Sequence, residues 1–199
     1  MGPTEILSAE HRVIEQVLDC LERMATDARS QASLDAGRAA QALEVLRTFA
    51  DQIHHGKEEE RLFPRMEARG IPRHVGPIAV MLDDHVFGRA QIRRMAEALE
   101  AGGADAPTRF ADAAMAYVEM LRDHIAKEDG VLFPLAESVL DDAGREELRA
   151  EFERFDRDEL EPGLLARMLA QAEDLARHYD VPLAAQRSKP EAHGHGLCH

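Results

Sequence analysis

Apolar residues recur every three or four positions through most of residues 4–140, which is the period of an amphipathic helix. Polar or glycine- and proline-rich segments divide this region into four stretches. The predicted helices run from Thr4 to about Ala28, from about 37 to 70, from between Pro72 and Pro77 to 102, and from Pro107 to about 140. Pro64 is expected to kink the second helix, because proline cannot donate a backbone hydrogen bond.

The chain changes character after residue 141. A charged amphipathic helix follows, and a last one begins near Pro162 and ends near Tyr179. We expect a single all-α domain over residues 1–180, with a bundle core of about 4–140 and two covering helices within 142–180. Residues 181–199 are predicted to form a disordered polar tail.

An eleven-residue pattern occurs twice, with the shared skeleton His-x-x-Lys-Glu-x-x-x-Leu-Phe-Pro. Its first copy begins at His54 and its second at His124. In each copy the glutamate, Glu58 or Glu128, lies four residues after the histidine and therefore on the same helical face. The repeat predicts a duplicated helical hairpin, which folds naturally into an up-down-up-down four-helix bundle.

The alternate helices carry a second repeat. Glu10-His11 and Asp84-His85 each place one histidine on an apolar stripe. A single histidine at such a position is ordinarily a core residue with a satisfied hydrogen bond. Several inward histidines and carboxylates together are different, because burying them without compensation costs several kcal/mol per charge. The inward set therefore favours a metal site; it comprises His11, His54, Glu58, His85, His124 and Glu128.

Composition limits the partners. The net charge of −14 and the lack of a basic stripe argue against nucleic acid. No apolar run approaches the ~20 residues that a membrane span needs. The first residues lack the pattern of a secretory signal, and the two cysteines, Cys20 and Cys198, form no disulfide framework. We expect a cytoplasmic protein that interacts with neither nucleic acid nor membranes.

Imidazole and carboxylate ligands without cysteine suit iron or manganese, with zinc as a further alternative. Six ligands are too many for one reactive ion but suit two. If both carboxylates bridge, each metal has two imidazoles and two carboxylates. A bridging oxide or hydroxide then leaves one octahedral position open for a small molecule.

These motifs resemble those of the hemerythrin-like, HHE cation-binding proteins over roughly residues 4–140. The resemblance implies a non-haem diiron site, with two iron ions and a bridging oxo or hydroxo group, inside a four-helix bundle. Carried over position by position, the ligands are the same six residues of the inward set.

Two departures from the oxygen-carrying members bear on function. Those carriers have a second histidine four residues after the first on the third helix, where this chain has Arg89. They also carry His-x4-Asp on the fourth helix, where this chain has His124-x3-Glu128. A missing imidazole predicts a more open site, which favours peroxide decomposition, reaction with nitric oxide or sensing over reversible carriage of dioxygen.

Four further residues are candidates for supporting roles. Arg89 either sets its guanidinium beside the centre or covers the bundle with its stem while the head reaches solvent. His55 and Glu59 lie about 100° around the helix from the ligands, so they are predicted to lie behind the ligands or at the surface. Tyr117 is expected to pack in the core.

Two functions remain open. The first is a catalase-like enzyme that handles peroxide or other small oxygen or nitrogen species. The alternative is an iron- or oxygen-sensing or iron-binding module without turnover, in which the helices after residue 141 transmit occupancy to a protein partner.

Overall fold

The computed structural model describes residues 1–187, and within this range it is helical without strands. The predicted all-α class is confirmed. Six helices follow one another in the described range: α1 (Pro3–Gln31), α2 (36–68), α3 (Pro77–Ala101), α4 (106–139), α5 (142–159) and α6 (Leu164–Tyr179). A short 3₁₀ turn, Ala184–Gln186, comes after α6.

Three helices, α2, α4 and α5, contain π-helical stretches. α2 consists of Ala36–Val45, the π-helical stretches Leu46–His55 and Glu58–Leu62, and Phe63–Ala68. α4 consists of Ala106–Lys127, the π-helical stretch Glu128–Leu132 and Phe133–Val139. In α5 the α-helical Asp142–Arg154 continues as the π-helical Phe155–Glu159. A π turn bonds residue i to i+5, and such turns are frequent at functional sites.

The repeated Leu-Phe-Pro explains two of these wide turns. The N–H of Phe63 donates to the carbonyl of Glu58, and that of Phe133 donates to the carbonyl of Glu128. Proline follows each phenylalanine and has no N–H to extend a regular α-helical ladder. Pro64 therefore stands after a widened turn in a helix that continues through Ala68.

Two apolar clusters lie along the four long helices, and the chain alternates between them. The larger cluster includes Ile14, Val17, Leu46, Ile53, Ile92, Met95, Leu121 and Ile125. The smaller includes Leu7, Leu62, Phe63, Ile78, Met81, Leu132 and Phe133. α1 and α3 run from the smaller cluster to the larger, whereas α2 and α4 run the opposite way. On each helix, the inward histidines and glutamates lie at or near the change from one cluster to the other.

The two additional helices cover one side of the molecule. α6 packs on α1 and α2 and contributes Met168 and Leu175 to the larger cluster. α5 contributes Leu148 and Phe152 to the smaller cluster. On α3, by contrast, Phe87 is among the exposed large apolar side chains.

The tail predicted for residues 181–199 lies only partly within the described range. The N–H of Ala184 donates to Gln16 of α1 at 2.6 Å, and Arg187 pairs with Asp19 at 2.6 Å. Residues 188–199 of that predicted tail lie outside the described residues. Through residue 187, the helices are too short or too polar to cross a bilayer.

Candidate metal centre

The six residues of the predicted inward set come together in the interior. Each side chain is at most 1% exposed. Glu128 Oε2 lies 3.1 Å from His11 Nε2 and 3.2 Å from His124 Nε2. The carboxylate of Glu58 lies 3.6 Å from His54 Nε2 and 3.5 Å from His85 Nε2. Each glutamate therefore joins the histidine of its own helix to a histidine of another.

The donor atoms form two groups of four that share Glu58. The first group contains His11, His54, Glu58 and Glu128, and the second contains His55, Glu58, His85 and His124. Within each group, all four donor atoms lie within 4.8 Å of one another. The shared carboxylate sets the two groups side by side.

His55 is the residue that sequence reasoning missed as a possible ligand. Its ring stacks on that of His85 with 3.8 Å between centroids and 17° between planes, and the side chain is buried. The predicted position of His55, about 100° around the helix from His54, assumes a regular α-helix. His55 ends the π-helical stretch Leu46–His55, where the wider turn reduces the angle between neighbours, and both rings reach the interior. The only sign of this in the sequence is that His55 directly follows the ligand candidate His54.

Each of the five histidines has a carboxylate at Nδ1. The pairs, with their N–O distances, are His11–Asp129 (3.1 Å), His54–Glu10 (2.9 Å), His55–Asp51 (3.4 Å), His85–Glu59 (2.7 Å) and His124–Asp84 (3.4 Å). A carboxylate at Nδ1 fixes the ring and its tautomer, leaving Nε2 free to bind a metal. The same arrangement surrounds the histidine ligands of many metal sites.

Cationic side chains hold these carboxylates in turn. They pair as Arg12–Asp129 (2.6 Å), Lys57–Glu10 (2.5 Å), Arg89–Asp51 (2.7 Å), Arg89–Glu59 (2.7 Å) and Lys127–Asp84 (2.8 Å). The lysine of the repeated His-x-x-Lys-Glu thus neutralises the carboxylate that orients the histidine of the same motif.

Three supporting candidates have defined places. The guanidinium of Arg89 joins Asp51 and Glu59, the carboxylates behind His55 and His85, and is about one-third exposed. Although burial opposes it, hydrogen bonds from His85 and Arg89 lower the pKa of Glu59 to about 2. Tyr117 is buried in the larger apolar cluster, and burial together with the charge of Asp51 raises its pKa.

The phenylalanines of the repeated Leu-Phe-Pro pack on histidines of other helices. Phe133 stacks on His11 with 5.3 Å between centroids, and Phe63 stacks on His85 with 6.3 Å. The planes are within 11° and 14° of parallel. Both phenylalanines belong to the smaller apolar cluster, so these contacts cover the donor cluster with apolar rings on that side.

Burial and the neighbouring charges act in opposite directions on several pKa values of the cluster. It raises the pKa of Glu58 well above its usual value, and the neighbouring charge of Glu128 adds to the shift. Although burial opposes it, His124 and His11 hold the pKa of Glu128 well below its usual value. Burial lowers the pKa of His54 to about 4. Asp129 and Glu128 overcome burial at His11 and raise its pKa to about 9.

The donor atoms fit a metal better than they fit one another. His54 Nε2, His55 Nε2, both oxygens of Glu58 and Oε1 of Glu128 are buried without a hydrogen-bond partner. His85 Nε2 and His124 Nε2 face each other at 3.3 Å. Buried polar atoms are nearly always satisfied, and each orphan costs about 1–3 kcal/mol. Divalent cations among these atoms would satisfy them together.

This chain belongs to the hemerythrin HHE cation-binding domain family, whose model matches residues 2–136. It is also similar to uncharacterized proteins of Mycobacterium bovis and of two strains of Mycobacterium tuberculosis. Each is 29% identical over 143 residues, which cover 68% of this chain and 54% of the relative. The chain thus spans about half the length of these curated relatives. No solved structure matches it.

Proposed function

We propose that this chain holds two iron ions and binds or reacts with small oxygen species at them. The observation that carries the proposal is the pair of four-donor groups that share Glu58, with orphaned donor atoms between them. Family membership supports cation binding. The imidazole and carboxylate donors suit iron, and they suit manganese and zinc as well.

The proposed ligands are the six residues of the inward set together with His55. His11 and His54 would serve one ion and His55, His85 and His124 the other, with Glu58 between them. Glu128 belongs to the first group, but its Oε2 also lies 3.2 Å from His124 Nε2, so it is suited to bridge. The two ions would be held in an up-down-up-down bundle, which the alternation of the helices between the two apolar clusters supports.

The donor set is unequal, and this inequality decides where a small molecule would bind. His55 would supply the imidazole that the sequence motifs lack, so a missing imidazole no longer favours an open, peroxide-decomposing site. With two imidazoles on one side and three on the other, we expect the exchangeable position beside His11 and His54.

The chain's own residues would orient the ligands and exclude water. Two ferrous ions, when bound, would supply the electrons for reaction with dioxygen or peroxide. Carboxylates hold the protons of the histidines at Nδ1, and Phe63 and Phe133 close the cluster with apolar rings. A cavity of about 210 Å³ lies against Phe133 and Asp129, with Glu137 also in its lining. Its acidic lining disfavours anions and does not repel neutral species such as dioxygen, hydrogen peroxide or nitric oxide.

The first test is to load the full chain with ferrous iron without oxygen, count irons per chain, and record the visible spectrum. Air is then admitted and removed, and hydrogen peroxide is added last. We expect about two irons per chain and an oxo-bridged absorption band after air. A band that disappears when oxygen is removed indicates reversible binding, whereas oxygen released from peroxide indicates catalase-like turnover. Less than one iron per chain would refute the diiron proposal.

A matched pair of variants tests the ligand assignment. Glu58→Gln removes the carboxylate common to both groups and should lower the metal content below one ion per chain. Glu60→Gln changes an exposed carboxylate two residues away and should leave two. Two ions retained in Glu58→Gln would contradict the assignment.

A second candidate, sensing without turnover, is supported by one contact. Asp156 of α5, outside the residues that the family model matches, reaches Lys57 within the outer layer of the site. A sensor would keep two irons and a stable spectrum, and would release no oxygen from peroxide.

A further inference from the structure

Lys57 is a fully buried lysine whose charge is compensated from two directions. Its Nζ lies 2.5 Å from Glu10 Oε1, and 2.8 Å and 3.1 Å from the two carboxylate oxygens of Asp156. The rings of Phe152 and Phe155 lie 5.8 Å and 6.0 Å from the ammonium. A buried lysine is stable only when paired, so α2 depends on α5 at this point.

Asp156 is thereby connected to a proposed metal ligand through two other side chains. Glu10 accepts from Lys57 through Oε1 and faces His54 Nδ1 through Oε2, at 2.9 Å. We propose that Asp156 is a positioning residue that acts on His54 through Lys57 and Glu10, so that docking of α5 and metal occupancy are coupled. This inference rests on the proposed metal function and extends it beyond the residues that the family model matches.

The direction of the effect follows from competition for one ammonium. While Asp156 shares Lys57, Glu10 keeps more negative charge to accept the proton of His54 Nδ1, which orients the ring and makes its Nε2 a stronger ligand. Without the Asp156 charge, Lys57 would be drawn more fully to Glu10 and weaken that hydrogen bond. Coupling between two binding events is reciprocal, so bound metal must in turn stabilise the docked α5.

The second repeat contains a natural comparison. Lys127 contacts Asp84, the partner of His124, and also Asp123 at 3.0 Å. Asp123 lies on the same helix as Lys127 and is 73% exposed, whereas Asp156 is 28% exposed and comes from another helix. Because water screens the exposed carboxylate, it should have little influence on His124.

The decisive measurement is ferrous-iron affinity, by anaerobic titration of the full chain and of three variants. Removing a partner one step behind a ligand weakens metal binding about 10–100-fold. Asp156 is two steps further out, behind Glu10 and Lys57, so Asp156→Asn should weaken binding of the first-group ion about three- to tenfold. Glu159→Gln removes a neighbouring contact of the same segment, to Arg61, and should leave the affinity within about twofold, as should Asp123→Asn. Equal affinities in Asp156→Asn and the unmodified chain would overturn the inference.

Hydrogen exchange distinguishes this coupling from a purely structural contact. If the contact were only structural, exchange rates in α5 would not depend on bound metal. In the unmodified chain, amides of residues 142–159 should exchange about three- to tenfold more slowly when iron is bound, by the same coupling factor. Asp156→Asn should lose this metal dependence, and Glu159→Gln should keep it. Iron bound without any change at 142–159 refutes the coupling alone. A chain that binds no iron refutes the proposed function instead.

Discussion

The two halves of the bundle, residues 3–68 and 77–139, carry the same motif in different surroundings. In each, a carboxylate of the preceding helix holds Nδ1 of the motif histidine, and the motif lysine holds that carboxylate. The first half is covered by α5, and its Lys57 is fully buried, whereas Lys127 is 35% exposed. The first half also has His55 where the second has the buried Ile125.

This difference teaches that a repeated motif does not fix the energy of its contacts. An exposed ion pair contributes little, whereas losing one partner of a buried pair leaves a charge without compensation. We therefore expect equivalent substitutions to have larger effects in the first half than in the second.

The two motif lysines, Lys57 and Lys127, should differ most in their contribution to the free energy of unfolding. Lys57→Met leaves Glu10 and Asp156 without their shared cation and should lower the free energy of unfolding by about 3–5 kcal/mol. Lys127→Met should cost less than about 1 kcal/mol, because its partners are reached by water. Urea unfolding of both variants measures the difference, and similar costs would show that the cover over the first half has no energetic effect.

The two motif histidines should change the free energy of unfolding in opposite directions with pH. The protein is kept metal-free with a chelator for this measurement. Burial lowers the pKa of His54 to about 4, so its contribution to stability is present above pH 6.5 and is lost as the pH falls towards 4, by about 3 kcal/mol. His124 is buried too, but Glu128 and Asp84 raise its pKa, so its contribution is lost as the pH rises through the raised value. His54→Gln should flatten the decline of stability between pH 6.5 and 4, and His124→Gln should not. A decline unchanged in His54→Gln would contradict this account.

His55 should matter to metal binding more than its counterpart does. His55→Ile makes the first half resemble the second and should weaken binding of the second-group ion by at least about tenfold, the loss expected even for an outer partner. Ile125→Val, which removes one methylene at the equivalent buried position, should leave both ions bound. Ferrous-iron titration distinguishes the two. Unchanged binding in His55→Ile would return His55 to a packing role.

The smallest expected effect concerns the two arginines. Arg12 and its partner Asp129 are each about one-tenth exposed, whereas Arg89 is 36% exposed. Arg89→Gln should therefore lower the free energy of unfolding by less than about 1 kcal/mol, and Arg12→Gln by more. Urea unfolding decides between them, and the reverse order would mean that Arg89 holds Asp51 and Glu59 more firmly than its exposure indicates.

The helices and the six inward residues could be predicted from the sequence because both depend on local periodicity. His11, His54, His85 and His124 stand on apolar stripes, and burial of the stripe carries them to the interior. His55 could not be found in this way, because a 3.6-residue period turns it aside and only the local π winding turns it inward.

The connection from α5 was also beyond local reasoning. Lys57 in isolation resembles any lysine on the polar side of a helix, and its burial depends on how a helix about 100 residues later packs over it. Asp156 gives no sign in the sequence of pairing with Lys57. Such contacts between distant segments follow from the packing of whole helices, which no spacing rule encodes.

The exchange of partners between the halves constrains the order in which the molecule assembles. His11 of α1 receives its carboxylate from Asp129 of α4, and His85 of α3 receives its own from Glu59 of α2. During synthesis, therefore, the first hairpin emerges with His11 still unoriented, and the last ligand carboxylate arrives only with α4. The proposed ligand set is complete only after the chain has folded back on itself, so we expect a metal ion to bind after the bundle has assembled.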